Sequence, residues 1–584
     1  MDNKTPSKII TETDKIGIIG SPSSTNDLTI DILGDSTSRK LIGELSYFKF
    51  FQDGNPHYAI GQINEVKLNN FMLEDSTIKK LIRDKGIIET ISGLQDTYRG
   101  HITISAVFGE DNMKYFPSLI GTVPPTGTYV HLVNDKVLDD ILDRYREEIF
   151  YLGRVYGSTP KLPLWFKHFG TGSAGAGEAY HMGVFGKTGS GKSVLAKMLL
   201  LAYARHPDMA IYIIDPQAEF AMDITGEGKK SRFDLRLRQV ITSFKKEIIV
   251  KSINELVLDG WPLFTDIIRE SNFFPKIGIK KYEEKKLASE DMIRGLKSKY
   301  KTSDVYTKEA FFDAFKYMGS ETSNERFQLI FKDFSYNQDK FDDLYETSWK
   351  PVCQLFKERE GGLTIKKLLQ KTFASQAEKR PVVVLNLAGG SVKNIFWNEE
   401  ISALVIKSFL DALKDTAEAS YRRSEFLNTL VVLDEAHRLA PSEELENESM
   451  QGVRLSLIDA VRTTRKYGLG WMFISQTLAS LPKAIVEQLR ILFFGFGLAF
   501  GKEFTALKEI AGGDDSSLSL YQSFRDPHSA FDIASKQYNF MSIGPVSPLS
   551  FSGTPMFFTA YNTPIEFLGI NRLAKVVQKP AAAK

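Results

Sequence analysis

The chain has 584 residues, with 74 Lys and Arg against 72 Asp and Glu and a formal net charge of +2. That length holds about three or four domain-sized units; the charge balance excludes a global basic field, so any DNA contact must come from local loops or repeated subunits. A single cysteine, Cys353, excludes an intrachain disulfide and a cysteine zinc cluster, which fits a small apolar residue in a reducing cytoplasm.

Residues 1–15, MDNKTPSKIITETDK, lack the apolar core of a signal peptide. The strongly apolar stretch at 491–500 is shorter than the about 20 residues needed to span a bilayer. A soluble cytoplasmic protein with no membrane contact is expected. From residue 15 to 157 the chain is a series of β-rich runs, KIGIIGS, DLTIDILG, YFKFF, YAIGQINEVKL, HITISAVFG, GTYVHLV and IFYLGRVYG. The turn signals SPSST, QDGNPH and TVPPTG interrupt them, which predicts a small antiparallel β-barrel within residues 1–165, with a helical excursion around 77–88. GTGSAGAGE, 170–178, is a flexible connection into the next unit.

Residues 181–203, HMGVFGKTGSGKSVLAKMLLLAY, place Gly-x-x-x-x-Gly-Lys-Ser between an apolar strand and an apolar helix. This is a phosphate cradle: glycines let successive N–H groups converge on phosphate oxygens, and the helix adds the positive end of its dipole. Gly186, Lys187, Thr188, Gly189, Ser190, Gly191, Lys192, Ser193 and Val194 are the nucleotide-binding candidates, with ATP and Mg²⁺ as cofactors. Lys192 is expected to reach the β and γ phosphates and the Ser193 hydroxyl to hold Mg²⁺. The next strand, AIYIIDPQAEF (210–220), is expected beside the phosphate loop. Its Asp215 and Glu219 either position water or metal at the carboxyl edge of a parallel sheet or, more readily for Glu219, close a plain Asp-Pro turn.

From 228 to 378 the pattern is amphipathic, helical and charged, as in PLFTDIIRESNFF and KEAFFDAFKYM, and predicts an inserted helical bundle. It splits an α/β core into 166–227 and 379–545. The lysines between 276 and 301 are a solvated face diluted by acidic neighbours or a basic face for DNA. After the strand PVVVLNLAG, Lys393 either lies in a solvated loop or lines a pore and contacts DNA phosphate. LVVLDE (430–435) is a buried-strand pattern delivering Asp434 to the metal and Glu435 to the attacking water. In RTTRKYG (462–468), basic residues in a last helical turn suit the helix dipole; the sharper reading is an arginine finger, Arg462 or Arg465, entering a neighbouring subunit. Gln476, in the SQT that ends the strand GWMFISQT, is placed to sense the γ phosphate, while Ser or Thr there also caps a following helix. Residues 546–584 read as an extended tail on the body or on a neighbour, ending in the low-complexity KPAAAK.

Taken together, HMGVFGKTGSGKS, IIDPQAEF, VVLDEAHRLAP and RTTRKYGLGWMFISQTLASLP, with the N-terminal barrel and the C-terminal tail, resemble the HerA family within the HerA/FtsK group. The resemblance implies a RecA-like P-loop ATPase core with an inserted helical bundle, assembled as a homo-hexamer that translocates double-stranded DNA. It further implies a nuclease or effector protein partner, in DNA end processing or antiphage defence. It gives Lys192 and Ser193 to phosphate and Mg²⁺, Asp434 to metal, Glu435 to water activation, an assisting role to Asp215, and a trans role to Arg465 or Arg462. Gln217 and Ala218 depart from the His-Gly more usual there. A scaffold ring that regulates an effector shares every one of these signatures; a membrane-anchored conjugation pump is disfavoured.

Overall fold

The computed structural model describes residues 13–574 apart from 26–27, 113, 173–174, 228–232, 321–323, 375–378, 390–393, 513–514, 533–534 and 551–552. Lys393 therefore lies outside the described residues.

The first seven strands are β1 (Lys15–Ile19), β2 (Leu28–Ile32), β3 (Leu45–Gln52), β4 (Asn55–Asn69), β5 (Thr97–Asp111), β6 (Lys114–Ser118) and β7 (Tyr129–Leu132). They pair in the order β2-β1-β7-β3-β4-β5 and β2 pairs back onto β5, so these six close an antiparallel barrel with β6 added as a hairpin strand. Alternation turns Ile16, Phe48, Ile63, Ile102 and Val130 into its interior, and closure removes the free edges of the six. The helical excursion is α1 (Ser76–Lys85), started by Asp75, whose side chain accepts from the Thr77 and Ile78 amides. β6 was not anticipated: KYFPS is short and carries a proline.

The remaining strands are β8 (Ile149–Val155), β9 (Lys161–Trp165), β10 (His181–Phe185), β11 (Ala210–Asp215), β12 (Ile248–Ser252), β13 (Leu256–Val257), β14 (Leu363–Thr364), β15 (Val382–Asn386), β16 (Thr429–Leu433), β17 (Leu469–Ser475), β18 (Leu489–Gly495), β19 (Tyr538–Ile543) and β20 (Met556–Ala560). All but β13 and β14 form one sheet, ordered β12-β15-β11-β16-β17-β10-β18-β19-β20-β8-β9. From β12 to β18 neighbours are parallel; from β18 onward they are antiparallel. On one face lies α2 (Lys192–Ala204), in which every residue from Leu195 on is buried, as expected of a helix apolar nearly all round. On the other face pack the inserted helices, among them α3 (Tyr282–Lys297), α4 (Lys308–Ser320) and α5 (Glu325–Ser335), and then α6 (Glu399–Arg422) and α7 (Glu448–Thr463). Phe264, Phe273, Phe311 and Trp349 centre the insertion through edge and tilted ring contacts, and the Trp349 indole donates to the Val305 carbonyl at 2.8 Å. This is the expected class: an α/β core built on a largely parallel sheet, an inserted helical bundle and a small N-terminal antiparallel barrel.

Three stretches differ from the sequence reading. IFYLGRVYG, assigned to the barrel, runs as β8 in the central sheet, where Gly153 lets β8 close on β20; a Cβ there would meet the Thr559 carbonyl at 2.1 Å. Within 228–378, the strand β12 pairs with β15 at the sheet edge, and β13 with β14, so the purely helical part lies between β13 and β14. The tail is not merely extended: β20 enters the sheet, and the helix Pro564–Ile570 buries Phe567 and Leu568.

Candidate active site

The site forms where β10, β17 and β16 end side by side. β10 pairs with β17, Phe185 opposite Ser475, and β17 with β16, Phe473 opposite Leu433. The residues following these strands, the phosphate loop, Gln476 and the Asp434–Glu435 pair, therefore converge at one carboxyl edge. One strand, β17, separates the phosphate-loop strand from the carboxylate strand, and Gln476 fills the gap between them.

Gly186, Gly189 and Gly191 have φ of 150°, 83° and 89°. Two of them are also pressed from outside: a Cβ on Gly189 would lie 1.9 Å from His528 Nε2, and one on Gly191 would lie 2.8 Å from the Tyr538 ring. Lys187 closes the loop onto the next strand, its amide donating to the Phe496 carbonyl, and Ser190 is buried with its amide on the Lys187 carbonyl. Gly191 starts α2 with no side-chain cap, so the first amides of the helix stay available to an anion. Lys192 Nζ rests on the Lys187 carbonyl at 3.2 Å. Burial pulls its pKa down, against the pull of the Glu435, Asp434 and Glu219 carboxylates.

Thr188, Lys192, Ser193 and Val194 line a cavity of about 900 Å³ together with Gln217, Glu219, Asp434, Glu435 and Gln476, within the range of small-molecule sites. Thr188 Oγ1 donates to Gln476 Oε1 at 3.1 Å, and Gln476 Nε2 donates to Glu435 Oε1 at 3.2 Å. The amide thus bridges the phosphate loop and the carboxylate. Glu435 sits at φ 49°, a left-handed conformation that costs a non-glycine residue about 1–2 kcal/mol, and His437 Nδ1 lies 3.5 Å from its other oxygen. The Glu435 amide donates to Asp434 Oδ1 at 2.9 Å. Burial, then the Glu219, Glu435 and Asp215 carboxylates, push Asp434 up to about 7.

Asp215 is placed differently from the expectation. β11 lies between β15 and β16, not beside β10, because α2 carries the chain past two strand positions. Asp215 is fully buried and accepts from the Glu219 and Ala221 amides at 3.0 and 2.8 Å, and burial raises it to about 6. It shapes the turn that presents Gln217 and Glu219 to the cavity. Ala218 in that turn has φ 61°, a conformation in which glycine is favoured. Glu219 is paired with Lys197, whose Nζ lies 2.7 Å from both Glu219 Oε1 and Asp223 Oδ2.

Sequence reasoning missed several residues here. Lys197 had a signal, a lone charge inside the apolar run LAKMLLLAY. Phe233, Lys536, Tyr538 and residues 561–564 form the wall beyond Val194, and nothing local in sequence ties them to the phosphate loop. Arg465 lies at the opposite, amino edge of the sheet, ahead of β17, with its Nη2 2.6 Å from both oxygens of Glu178. Arg462 is exposed in the last turn of α7. Neither arginine lines the cavity of its own chain.

Residues 179–413 match the family model for the central domain of the helicase HerA. No curated protein matches the chain. Among solved structures, VirB4 of Thermoanaerobacter pseudethanolicus is 15% identical over 71% of this chain and 97% of that one, TM-score 0.38. The bacterial conjugative coupling protein TrwBdeltaN70 is 12% identical over 66% and 85%, TM-score 0.35. The genome packaging NTPase B204 from Sulfolobus turreted icosahedral virus 2, in complex with AMPPCP, is 9% identical over 66% and 98%, TM-score 0.27.

Proposed function

We propose that this chain, a HerA-type P-loop ATPase, is an ATP-driven ring motor on double-stranded DNA, coupled in the cytoplasm to a nuclease or effector partner in DNA end processing or antiphage defence. The observation that carries the ATPase chemistry is the Thr188–Gln476–Glu435 bridge across a cavity that also holds Lys192, Ser193 and Asp434. Lys192 and the amides starting α2 bind the β and γ phosphates. Glu435 accepts the proton of the attacking water. Arrival of a γ phosphate displaces Gln476 from Thr188 and frees Glu435, which ties base activation to an occupied site.

The donors fit Mg²⁺. One hydroxyl, Ser193, and one carboxylate, Asp434, are what a nucleotide-bound Mg²⁺ takes from protein, the rest coming from phosphate and water. Asp434, pushed up by burial and then by neighbouring carboxylates, would be relieved by a cation. Bound there, the metal neutralises charge on the β and γ oxygens.

Among the described residues no helix is long and apolar enough to cross a membrane. A protein partner is favoured by the surface around α1, which buries none of its residues while Phe71, Ile87 and Leu94 are exposed. The test is ATP hydrolysis with and without duplex DNA, in the absence of any partner. Stimulation independent of sequence, falling steeply with salt as released counterions require, supports the motor. Partner activation by Glu435→Gln rings, with no DNA stimulation of the wild type, supports the scaffold instead.

A further inference from the structure

Among the described residues the cavity carries little positive charge. Glu219, Asp434 and Glu435 line it, and its cations among the described residues are Lys192 and Lys536. Lys197, close by, is held by Glu219 and Asp223. A triphosphate that gains charge on its γ oxygens in the transition state needs more than this and one divalent ion.

The missing charge stands at the opposite, amino edge of the same sheet. Arg465 precedes β17, Glu178 precedes β10, and Arg490 lies at the start of β18. Glu178 Oε1 accepts from both Arg465 Nη2, at 2.6 Å, and Arg490 Nη1, at 3.0 Å. One carboxylate thus holds two guanidiniums, leaving a net positive edge. Arg465 Nε is buried without a partner, and the Arg490 side chain is 46% exposed. At about 3.3 Å per residue, the strands put this cluster roughly 20 Å from their own phosphate loop, beyond the reach of any side chain. Glu178 is also where the connection from the barrel enters the core, with the Ala179 amide on the Arg465 carbonyl at 3.2 Å.

We infer that Arg490 is a second catalytic arginine acting in trans: the basic amino edge of β17, β10 and β18 in one copy packs against the acidic carboxyl edge of β10, β17 and β16 in the next. Arg465 and Arg490 enter the neighbour's cavity together, and Glu178 holds them in register. Such a head-to-tail contact is heterologous and closes a ring when its rotation permits. The inference rests on the proposed ATPase ring but adds a residue which that reading does not contain.

The test uses full-length Arg490→Ala, Arg490→Lys, Arg465→Ala and Lys192→Ala chains, measuring turnover, ATP binding and assembly by native mass spectrometry. Arg490→Ala is expected to lower kcat about 10³-fold, as loss of an arginine finger does, with ATP affinity within about 3-fold of wild type. Mixing it with Lys192→Ala chains should restore turnover. Arg490→Lys keeps the charge beside Glu178 but loses the fork; it should fold and assemble normally and still lose kcat at least about 10-fold, whereas a purely structural ion pair would tolerate it. Full activity of Arg490→Ala or Arg490→Lys, with Arg465→Ala inactive, overturns the role of Arg490 and leaves the ring standing. No rescue in rings shown to contain both chains overturns action in trans. A monomeric wild type that hydrolyses ATP, with Arg465→Ala unaffected, overturns the ring itself.

Discussion

Replacing Lys197 by methionine should perturb the proposed metal-binding carboxylate Asp434 without touching it. The ammonium is buried, its side chain 8% exposed, and lies 2.7 Å from carboxylates of Glu219 and Asp223 that are 38% and 26% exposed. Removing one member of a buried pair costs about 3–5 kcal/mol; partly wet carboxylates reduce this to roughly 2 kcal/mol. The larger effect is on Asp434. After burial itself, the Glu219 carboxylate is the main cause raising Asp434 to about 7, and the Lys197 ion pair offsets part of that charge. An uncompensated carboxylate beside Asp434 is worth on the order of 1 kcal/mol, roughly one pH unit. In Lys197→Met the acidic limb of the kcat/KM profile, taken at subsaturating Mg²⁺, should therefore move up by about one unit. Glu219→Gln removes the repulsion and should move it down. The double variant should return it close to wild type. An acidic limb that stays in place in both single variants, in folded protein, refutes the electrostatic coupling of Glu219 to Asp434.

Lys192→Ala should lose ATP binding and hydrolysis together, whereas Glu435→Gln should retain bound ATP unhydrolysed; filter binding and phosphate release separate the two, and equal loss of binding in both would undo the assignment. Nucleotide-free protein should lose stability as pH rises, because Asp215 and Asp434, at about 6 and about 7 in the fold, start from about 3.9 in the unfolded chain. Stability from a raised carboxyl is full below the unfolded value and is lost through the folded one. Asp434→Asn should thus gain thermal stability over wild type at pH 8 but not at pH 4, and an equal difference at both would count against the buried acid. Gly191→Ala should abolish ATP binding even in folded protein, since its Cβ would meet the root of the Tyr538 side chain and φ is 89°; wild-type affinity would show that the loop and β19 are not locked together.

The phosphate loop, Asp434, Glu435 and Gln476 were readable because each is a local signal: an apolar strand whose last residues are followed by the required side chain. The barrel was readable from its turn spacing, as was the insertion from its helical period. What stayed hidden is non-local. The Arg490–Glu178 contact joins positions 312 residues apart, and nothing in their neighbourhoods marks them as partners. β8 and β20 have ordinary strand sequences, and only pairing across the chain puts them in the sheet that holds the site. Asp215 was legible as the end of a strand but not in its strand order, because a parallel crossover does not say how many positions it skips. Ala218 and Glu435, both at positive φ, are residues whose conformation no propensity anticipates.

The central claim, that hydrolysis in this cavity drives movement along duplex DNA, is tested most directly by displacement of a triplex-forming strand from a duplex by the purified assembled protein. The account predicts displacement that requires ATP and Mg²⁺ with wild type and is absent with Glu435→Gln. Vigorous duplex-stimulated ATP hydrolysis with no strand displaced, on duplexes of any sequence or length, would contradict it.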